Sequence, residues 1–312
     1  MNNLTKSIFF RIAAALCLLC CLVLTGCSTV PSGKDSGFTL DAQNGIYRVT
    51  AVPYGSHSKQ KFDIYLPLDY QSKENLDIFV CIHGGSYFRG DRYDMNDLYL
   101  DMVKNHGVAV ATMDYRLVSP TNNFFLKEMF EDVCSAVDKI ASVCNENDLK
   151  IDKAALMGFS AGGHFALLYS YTMIEKCPFD LVFCVDYVGP ADLTDEAFLA
   201  KTEEKRFEQL GKLFKKRLGV KDIKDAIPYF KEYSPIEYVT PSIIPTICAY
   251  GMKDEIVPFS ICESFKKKLD ECGCTYELTV FPNSNHGLDA PEDAPLQVVV
   301  AEQIKDYMEK YF

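Results

Sequence analysis

A chain of 312 residues is long enough to enclose a sizeable hydrophobic core in one large α/β domain or two smaller ones. Hydrophobic residues make up 48% of it and charged residues 24%, an ordinary globular composition that argues against disorder. The formal net charge of −11 disfavours nucleic acid as a partner, because an acidic surface repels phosphate backbones.

The first 27 residues have the pattern of an export signal. Lys6 and Arg11 precede an almost wholly apolar stretch at residues 12–24, which is too short to span a bilayer comfortably. The letters LTGC at residues 24–27 resemble the bacterial lipobox. This resemblance implies a lipoprotein signal peptide at residues 1–26, a lipidated Cys27, and export to the outside of the cell membrane or, in a Gram-negative cell, to the outer membrane. An ordinary secretory signal with a chance cysteine and an uncleaved anchor are the alternatives.

The next segment is polar and then gives way to a strand pattern. Residues 27–45 are rich in Ser, Gly, Asp and Pro, which predicts a flexible tether. The alternating segment at residues 46–54 predicts an edge strand, and residues 61–67 predict a second strand. We therefore predict that the folded domain covers residues 46–312.

Six mostly apolar runs follow, each typical of a strand buried on both faces. They lie at residues 76–84, 107–115, 154–160, 181–189, 245–251 and 276–282. Helix-like stretches separate or follow them, among them residues 130–143 and a closing helix at 296–311. Buried strands alternating with helices predict an α/β fold with a mostly parallel central sheet and helices on both faces.

Residues 193–240 interrupt this alternation. The stretch is charged, helix-prone and without an apolar strand run, so it predicts a helical insertion that acts as a lid. We expect its basic residues to form a solvated helix face. These residues are Lys212, Lys215, Lys216 and Arg217.

Thirteen cysteines bear on the redox state of the chain. Four lie within the first 27 residues, and the remaining nine cannot all pair internally. Cys272 and Cys274 lack the spacing of a CxxC metal site. We expect mostly free thiols and a reducing environment, and no metal or cofactor is predicted.

Ser160 lies between Gly158 and Gly162 in the segment LMGFSAGGHFALL at residues 156–168. A predicted strand leads into it and a predicted helix leads out, which is the context of a nucleophile elbow. Side chains two positions away from Ser160 would collide with the strand and the helix, so those positions must be small. The helix N-terminus favours negative charge at the site, and Ser160 is the predicted nucleophile.

Only His164 and His286, of five histidines, follow Ser160 in the chain, as the order serine, acid, histidine requires. His164 lies one turn into the predicted helix and is carried down beside the sheet, which favours a structural role. His286 lies in a polar loop after the last predicted strand, at the same sheet edge as Ser160. His286 is therefore the predicted general base.

The acid that orients the base should follow the strand at residues 245–251. Asp254 lies there and is the predicted partner of His286. Its neighbour Glu255 and the earlier Asp192 are alternative acids. A further alternative is that Asp254 serves only to form the turn.

The glycine-rich HGGSY at residues 83–87 follows the first long apolar strand. Small residues there allow backbone N–H groups to approach a substrate oxygen, and the N–H of Ala161 completes an oxyanion hole. A glycine-rich turn without a catalytic role is the alternative.

Together these segments resemble the α/β-hydrolase superfamily, and more narrowly its hormone-sensitive-lipase-like, acetyl-esterase and feruloyl-esterase-like (BD-FAE-type) group. The resemblance covers residues 54–312 and is carried by HGGSYFRGD, MDYRL, GFSAGGH and NSNHG. It implies an α/β-hydrolase fold that hydrolyses carboxylic esters with a catalytic triad and an oxyanion hole. The implied triad is Ser160, Asp254 and His286, and the implied oxyanion donors are Gly85, Ser86 and Ala161.

The resemblance also sets the expected activity. Ser86 stands where the group has a third glycine, and Tyr87 stands where it has tryptophan, so substrate detail does not carry over. We expect an acyl-enzyme mechanism on short-chain, acetyl-like or carbohydrate-linked esters outside the cytoplasm, with a lipid anchor at Cys27 on the membrane. A serine peptidase of the same fold and a non-catalytic surface lipoprotein are the alternatives.

Overall fold

The computed structural model describes residues 37–205 and 207–312, which form one nine-stranded sheet with flanking helices. The strands cross the sheet in the order β1-β2-β3-β5-β4-β6-β7-β8-β9. They are β1 (Thr39–Asp41), β2 (Ile46–Pro53), β3 (Lys61–Leu66), β4 (Leu76–Ile82), β5 (Ala109–Met113), β6 (Ile151–Phe159), β7 (Asp180–Tyr187), β8 (Thr246–Gly251) and β9 (Tyr276–Phe281).

The sheet is antiparallel at one end and parallel over the rest. β1, β2, β3 and β5 pair antiparallel in that order, whereas β5, β4, β6, β7, β8 and β9 are parallel neighbours. The carboxyl ends of parallel strands meet at one edge of a sheet. The loops that follow β4, β6, β8 and β9 therefore lie along the same edge.

Helices cover both faces of this sheet. They are α1 (Asn96–His106), α2 (Leu126–Glu146), α3 (Ala161–Thr172), α4 (Glu196–Lys201), α5 (Glu208–Leu218), α6 (Ile227–Glu232), α7 (Phe259–Cys272) and α8 (Ala294–Tyr311). α2, α3 and α7 contribute to the core on one face, and α1 and α8 to the core on the other. The predicted α/β fold with a mostly parallel sheet is confirmed.

The central strands are buried on both faces, as their continuous apolar runs predict. In β4, Ile78 and Val80 point into one core, while Phe79 and Cys81 point into the other, and all four are fully buried. A strand in this position has no solvent-facing side, so it shows no alternation of apolar and polar residues.

The predicted tether at residues 27–45 is corrected at its carboxyl end. Residues 39–41 form β1, which pairs with residues 46–48, and Phe38 is buried against Tyr70 with ring centroids 6.2 Å apart. β1 is therefore the edge strand, and β2, predicted at the edge, lies between β1 and β3. The polar composition concealed this short strand, and residues 27–36 lie outside the described part.

The predicted insertion at residues 193–240 is helical, and its described residues contain no strand. Phe214 and Phe230 of the insertion pack on Phe125 at the start of α2, with ring centroids 4.6 and 6.4 Å apart. Arg217 is not on a solvated face as predicted, because its guanidinium donates to the carbonyls of Ser119 and Phe124 at 2.6 and 2.7 Å. The insertion is thus docked on the loop before α2.

The predicted signal peptide at residues 1–26 and the predicted lipidation site Cys27 lie outside the described residues. Among the helices of residues 37–205 and 207–312, none combines the length and the apolarity needed to cross a membrane.

The nine cysteines of the described part are all free thiols. Five of them, Cys81, Cys144, Cys184, Cys248 and Cys262, are almost fully buried within the two cores. Burial raises the pKa of the Cys144 thiol to about 12, so it behaves as a small apolar side chain.

Candidate active site

Ser160 occupies a strained turn between β6 and α3. Its backbone adopts φ +57° and ψ −121°, which an L residue rarely tolerates, and its N–H donates to the carbonyl of Tyr187 at 2.7 Å. A Cβ on Gly158 would lie 2.1 Å from the carbonyl oxygen of Gly162, and one on Gly162 would lie 2.0 Å from that of Ile82. The two glycines are therefore required by the turn, as the sequence predicts.

The structure brings Ser160, His286 and Asp254 together in one hydrogen-bonded row. His286 Nε2 lies 2.8 Å from Ser160 Oγ, and His286 Nδ1 lies 2.6 Å from Asp254 Oδ2. The carboxylate accepts from Nδ1–H, so Nε2 is left to accept the serine proton. This is the geometry that activates a serine hydroxyl as a nucleophile.

Asp254 is held by the loop that follows β8. Its Oδ1 accepts from the backbone N–H groups of Ile256 and Val257 at 2.7 and 2.9 Å, and its side chain is 1% exposed. The other acid candidate after a strand, Asp192, instead accepts from the backbone and hydroxyl of Thr194 at 2.8 and 2.6 Å. Asp254 is therefore the acid that the fold places on His286.

The loop that carries His286 is tied down on both sides. Asp293 accepts from the Asn283 backbone at 2.8 Å and from the Ser284 hydroxyl at 2.7 Å. On the other side, the Lys253 N–H donates to the Ser284 carbonyl at 3.0 Å, which joins this loop to the one carrying Asp254. These bonds fix the position of the His286 loop relative to the Asp254 loop.

The predicted oxyanion loop lies against the nucleophile. Gly85, Ser86 and Tyr87 have φ values of +118°, +53° and +68°, and a Cβ on Gly84 would lie 3.2 Å from Ser160 Cβ. Within the described residues, the backbone N–H groups of Gly85, Ser86 and Ala161 donate to no protein acceptor. Unpaired N–H groups next to a nucleophile can bind a developing oxyanion.

A buried ion cluster beneath this loop was not predicted. Arg92 donates to Asp63 at 2.7 Å and to Asp114 at 2.6 Å, and all three side chains are at least nine-tenths buried. The Arg92 backbone N–H also donates to Asp114 at 2.9 Å. Because a buried charge needs a partner, the aspartates within the apolar strand segments KFDIYL and ATMDY were the signal that could have revealed it.

Asp186 is a further buried carboxyl that sequence reasoning missed. Its Oδ2 lies 2.6 Å from Tyr250 Oη, which also lies 2.7 Å from the carbonyl of Gly189. One phenol has one proton, so Tyr250 either shares it between the two oxygens or donates it to Gly189 while a protonated Asp186 donates to Tyr250. Burial raises the pKa of Asp186 to about 7, in agreement with the second arrangement. A Cβ on Gly163, in the first turn of α3, would lie 2.2 Å from Oδ1 of Asp186.

His164 does not share the position of His286. It is fully buried, and its ring nitrogens contact the carbonyl of Tyr233 and the hydroxyl of Tyr87. The predicted non-catalytic placement of this histidine agrees with these contacts, whose partners the sequence did not identify.

The BD-FAE family model matches residues 62–269, about two thirds of the chain. The chain belongs to the BD-FAE family. The matched residues of this BD-FAE protein include the oxyanion loop, Ser160 and Asp254.

Curated relatives of this BD-FAE protein include esterases. The chain is 24% identical over 258 residues to esterase LipC of Mycobacterium tuberculosis, which covers 78% of this chain and 60% of LipC. It is 24% identical over 245 residues to a probable isoprenylcysteine alpha-carbonyl methylesterase of Oryza sativa, which covers 76% of this chain and 57% of that protein. The chain thus spans less than two thirds of the length of these relatives.

The BD-FAE protein also shares its fold with solved structures. A truncated carbohydrate esterase from gut microbiota superposes with a TM-score of 0.64 and 19% identity, covering 86% of this chain and 98% of that one. The fold is that of the α/β-hydrolases, as the sequence predicts.

Proposed function

We propose that this protein is a serine carboxylester hydrolase that works through an acyl-enzyme. The observation that carries the proposal is the row from Asp254 through His286 to Ser160, with contacts of 2.6 and 2.8 Å. A second support is the set of relatives whose names describe them as esterases.

The first half of the proposed reaction is acylation. His286 Nε2 takes the Ser160 proton as Oγ attacks the ester carbonyl, and Asp254 stabilises the imidazolium that forms. The negative oxygen of the tetrahedral intermediate is bound by the N–H groups of Gly85, Ser86 and Ala161. His286 then gives its proton to the departing alcohol, which leaves an ester between the acyl group and Ser160.

The second half is deacylation by the same groups. His286 takes a proton from a water molecule, and the resulting hydroxide attacks the acyl carbonyl. The intermediate is held by the same N–H groups, and collapse returns the proton to Ser160 Oγ and releases the acid.

We further propose that the substrates are short-chain, acetyl-like esters or esters carried on carbohydrate. This finer proposal is supported by the likeness in fold to a protein described as a carbohydrate esterase.

The location outside the cytoplasm is proposed from the first 27 residues alone. Lipidation at Cys27 after removal of residues 1–26 would place the domain on a membrane surface. Labelling with a radioactive fatty acid in a bacterial host, with Cys27→Ala as the control, tests this. Label retained in the variant contradicts the lipidation proposal.

The activity is tested with aryl esters from acetyl to octanoyl, acetylated xylan, a feruloyl ester and an aryl amide. We expect the highest kcat/KM with short acyl esters, little cleavage of the amide, and covalent labelling by a fluorophosphonate probe. Preferential amide cleavage would favour a peptidase. Absence of both turnover and labelling would favour a non-catalytic protein.

A further inference from the structure

One fully buried side chain, His164, joins three segments of the molecule. It lies on α3, one turn after Ser160, and its backbone N–H donates to the Ser160 carbonyl at 2.9 Å. Its Nε2 lies 2.6 Å from the carbonyl oxygen of Tyr233 in the insertion. Its Nδ1 lies 3.3 Å from the hydroxyl of Tyr87, which directly follows Ser86 in the oxyanion loop.

The chemistry of these partners fixes the direction of both hydrogen bonds. The carbonyl of Tyr233 can only accept, so Nε2 of His164 carries a proton and donates. In the neutral ring Nδ1 is then an acceptor, and the hydroxyl of Tyr87 donates to it. The result is a directed row of two hydrogen bonds, from the Tyr87 hydroxyl to the imidazole and from the imidazole to the Tyr233 carbonyl of the insertion.

The imidazole is neutral over the ordinary working range. Burial without a neighbouring carboxylate lowers the pKa of His164 to about 4. The donor and acceptor roles of its two nitrogens are therefore constant near neutral pH.

One end of this row of hydrogen bonds needs support, and the other end is able to provide it. Tyr87 has φ +68° and its neighbour Ser86 has φ +53°, and such left-handed residues persist only where their surroundings hold them. At the other end, the buried Ser234 hydroxyl donates to Phe230 at 2.8 Å and accepts from Leu193 at 2.9 Å, which ties together the two ends of the insertion. The Tyr233 carbonyl next to Ser234 is therefore a firm anchor.

We propose that His164 is a positioning residue. It fixes the oxyanion loop, through the Tyr87 hydroxyl, to the Tyr233 carbonyl of the insertion. The inference rests on the proposed function, since the loop is an oxyanion hole only in an acyl-transfer enzyme. The insertion then supports the oxyanion loop.

The test uses substitutions that remove one bond at a time. Tyr87→Phe removes only the hydroxyl and keeps the ring packing, so it serves even where His164 variants fold poorly. His164→Gln places an amide donor near the Tyr233 carbonyl and removes the acceptor for Tyr87. His164→Asn keeps an acceptor near the Tyr87 hydroxyl and removes the donor to the Tyr233 carbonyl. Tyr171→Phe is the matched control, because it removes a different buried tyrosine hydroxyl, which lies on α3 and bonds Thr246 at 3.0 Å.

The first readout does not depend on turnover. We expect Tyr87→Phe and His164→Gln each to raise amide hydrogen exchange in residues 84–90 by about tenfold, the effect of one lost hydrogen bond. His164→Asn is expected to act in the same direction, and Tyr171→Phe to leave this segment unchanged. The double variant Tyr87→Phe/His164→Gln should equal either single variant, because both break the same link.

The second readout measures the oxyanion hole itself. We expect Tyr87→Phe to lower kcat on an aryl acetate by about tenfold with KM unchanged. The affinity for an aryl trifluoromethyl ketone, which forms a tetrahedral adduct with serine, should fall by the same factor. Tyr171→Phe should keep both values within about twofold of the wild type.

Several results overturn the proposal. Unchanged exchange of residues 84–90 in Tyr87→Phe does so even in a fully active enzyme, and so does an equal loss of kcat in Tyr171→Phe. Effects of Tyr87→Phe and His164→Gln that multiply would show that the two residues act separately. A wild-type protein without ester turnover would remove the proposed function, while increased exchange in the variants would still support the link.

Discussion

His286 and His164 both lie close to Ser160, and their surroundings differ in partner and in exposure. The side chain of His286 is 15% exposed and pairs with the carboxylate of Asp254 at 2.6 Å. His164 is fully buried and pairs with the carbonyl of Tyr233 and the hydroxyl of Tyr87. One histidine thus has a negative charge beside it, and the other has only neutral dipoles.

This difference accounts for the two roles that we assign. An imidazole beside a carboxylate can accept a proton, because the charge that forms is compensated. An imidazole buried among neutral groups stays neutral, which suits a fixed hydrogen-bonding position. Sequence position near the serine therefore says less about catalysis than the partner of each ring nitrogen.

The largest effect should come from removing the nucleophile that both histidines adjoin. Ser160→Ala is expected to reduce ester turnover about 10⁴-fold or more, because no other hydroxyl lies within reach of His286 Nε2 among the described residues. Steady-state kinetics and urea unfolding check this, with the free energy of unfolding expected to stay within about 1 kcal/mol of wild type. Turnover near the wild-type level would break the assignment of the site.

The next effect should come from changing the partner of His286. Asp254→Asn is expected to lower kcat about 10³–10⁴-fold near neutral pH, because an amide no longer selects the tautomer with Nε2 free to accept. Asp192→Asn is the matched control and should change kcat less than about threefold. Equal losses in the two variants would show that Asp254 has no special relation to His286.

Two of the buried carboxyls, Asp254 and Asp186, give a pH test of the same contrast. Asp254 has a basic partner, whereas Asp186 faces phenols and thiols, namely Tyr250 and Cys248 of β8, Cys184 of β7, Cys262 of α7 and Tyr171 of α3. Its folded pKa of about 7 exceeds the ordinary value of 3.8. The stability that this group contributes is therefore complete below pH 3.8 and is lost as the pH rises through about 7.

Asp186→Asn imitates the protonated acid and should remove this pH dependence. We expect the variant to be more stable than the wild type by a few kcal/mol at about pH 8 and close to it at about pH 4. Urea unfolding of both proteins at the two pH values measures the difference. A variant less stable than the wild type at about pH 8 would show that the ionised carboxylate is the native form.

The smallest effect should come from the far side of the insertion. Arg217→Ala removes the donors to the carbonyls of Ser119 and Phe124 and should destabilise the protein by about 1–3 kcal/mol. Turnover should fall less than about threefold, because Arg217 touches neither His164 nor Tyr87. Lys212→Ala, at an exposed position of the same helix, is the control. If Arg217→Ala lost as much kcat as Tyr87→Phe, the whole insertion, and not only the Tyr233 carbonyl, would hold the oxyanion loop.

Most of the fold and the principal site could be predicted because they depend on local patterns. Apolar runs locate the parallel strands, and the Gly-x-Ser-x-Gly spacing at Ser160 locates the elbow. Parallel strands end at one edge, so residues that follow them, such as Asp254 and His286, are expected to meet there. Chain order was sufficient for this because each of these residues lies just after a strand.

The remaining features arise from contacts between segments far apart in the chain. β1 is too short and polar to be recognised by itself and exists because β2 pairs with it. The partners of Arg92, Asp186 and Arg217 come from other elements, and no local spacing predicts them.

The sequence by itself determined the α/β architecture and predicted a nucleophile, a base and an acid, because strand ends and tight turns depend on neighbouring residues. Only the tertiary structure decided which groups bond the ring nitrogens of His164, that Asp186 is buried without a cation, and where the insertion docks. The physical reason is that pKa values and hydrogen-bond directions depend on the groups packed around a side chain, and those groups come from the whole fold.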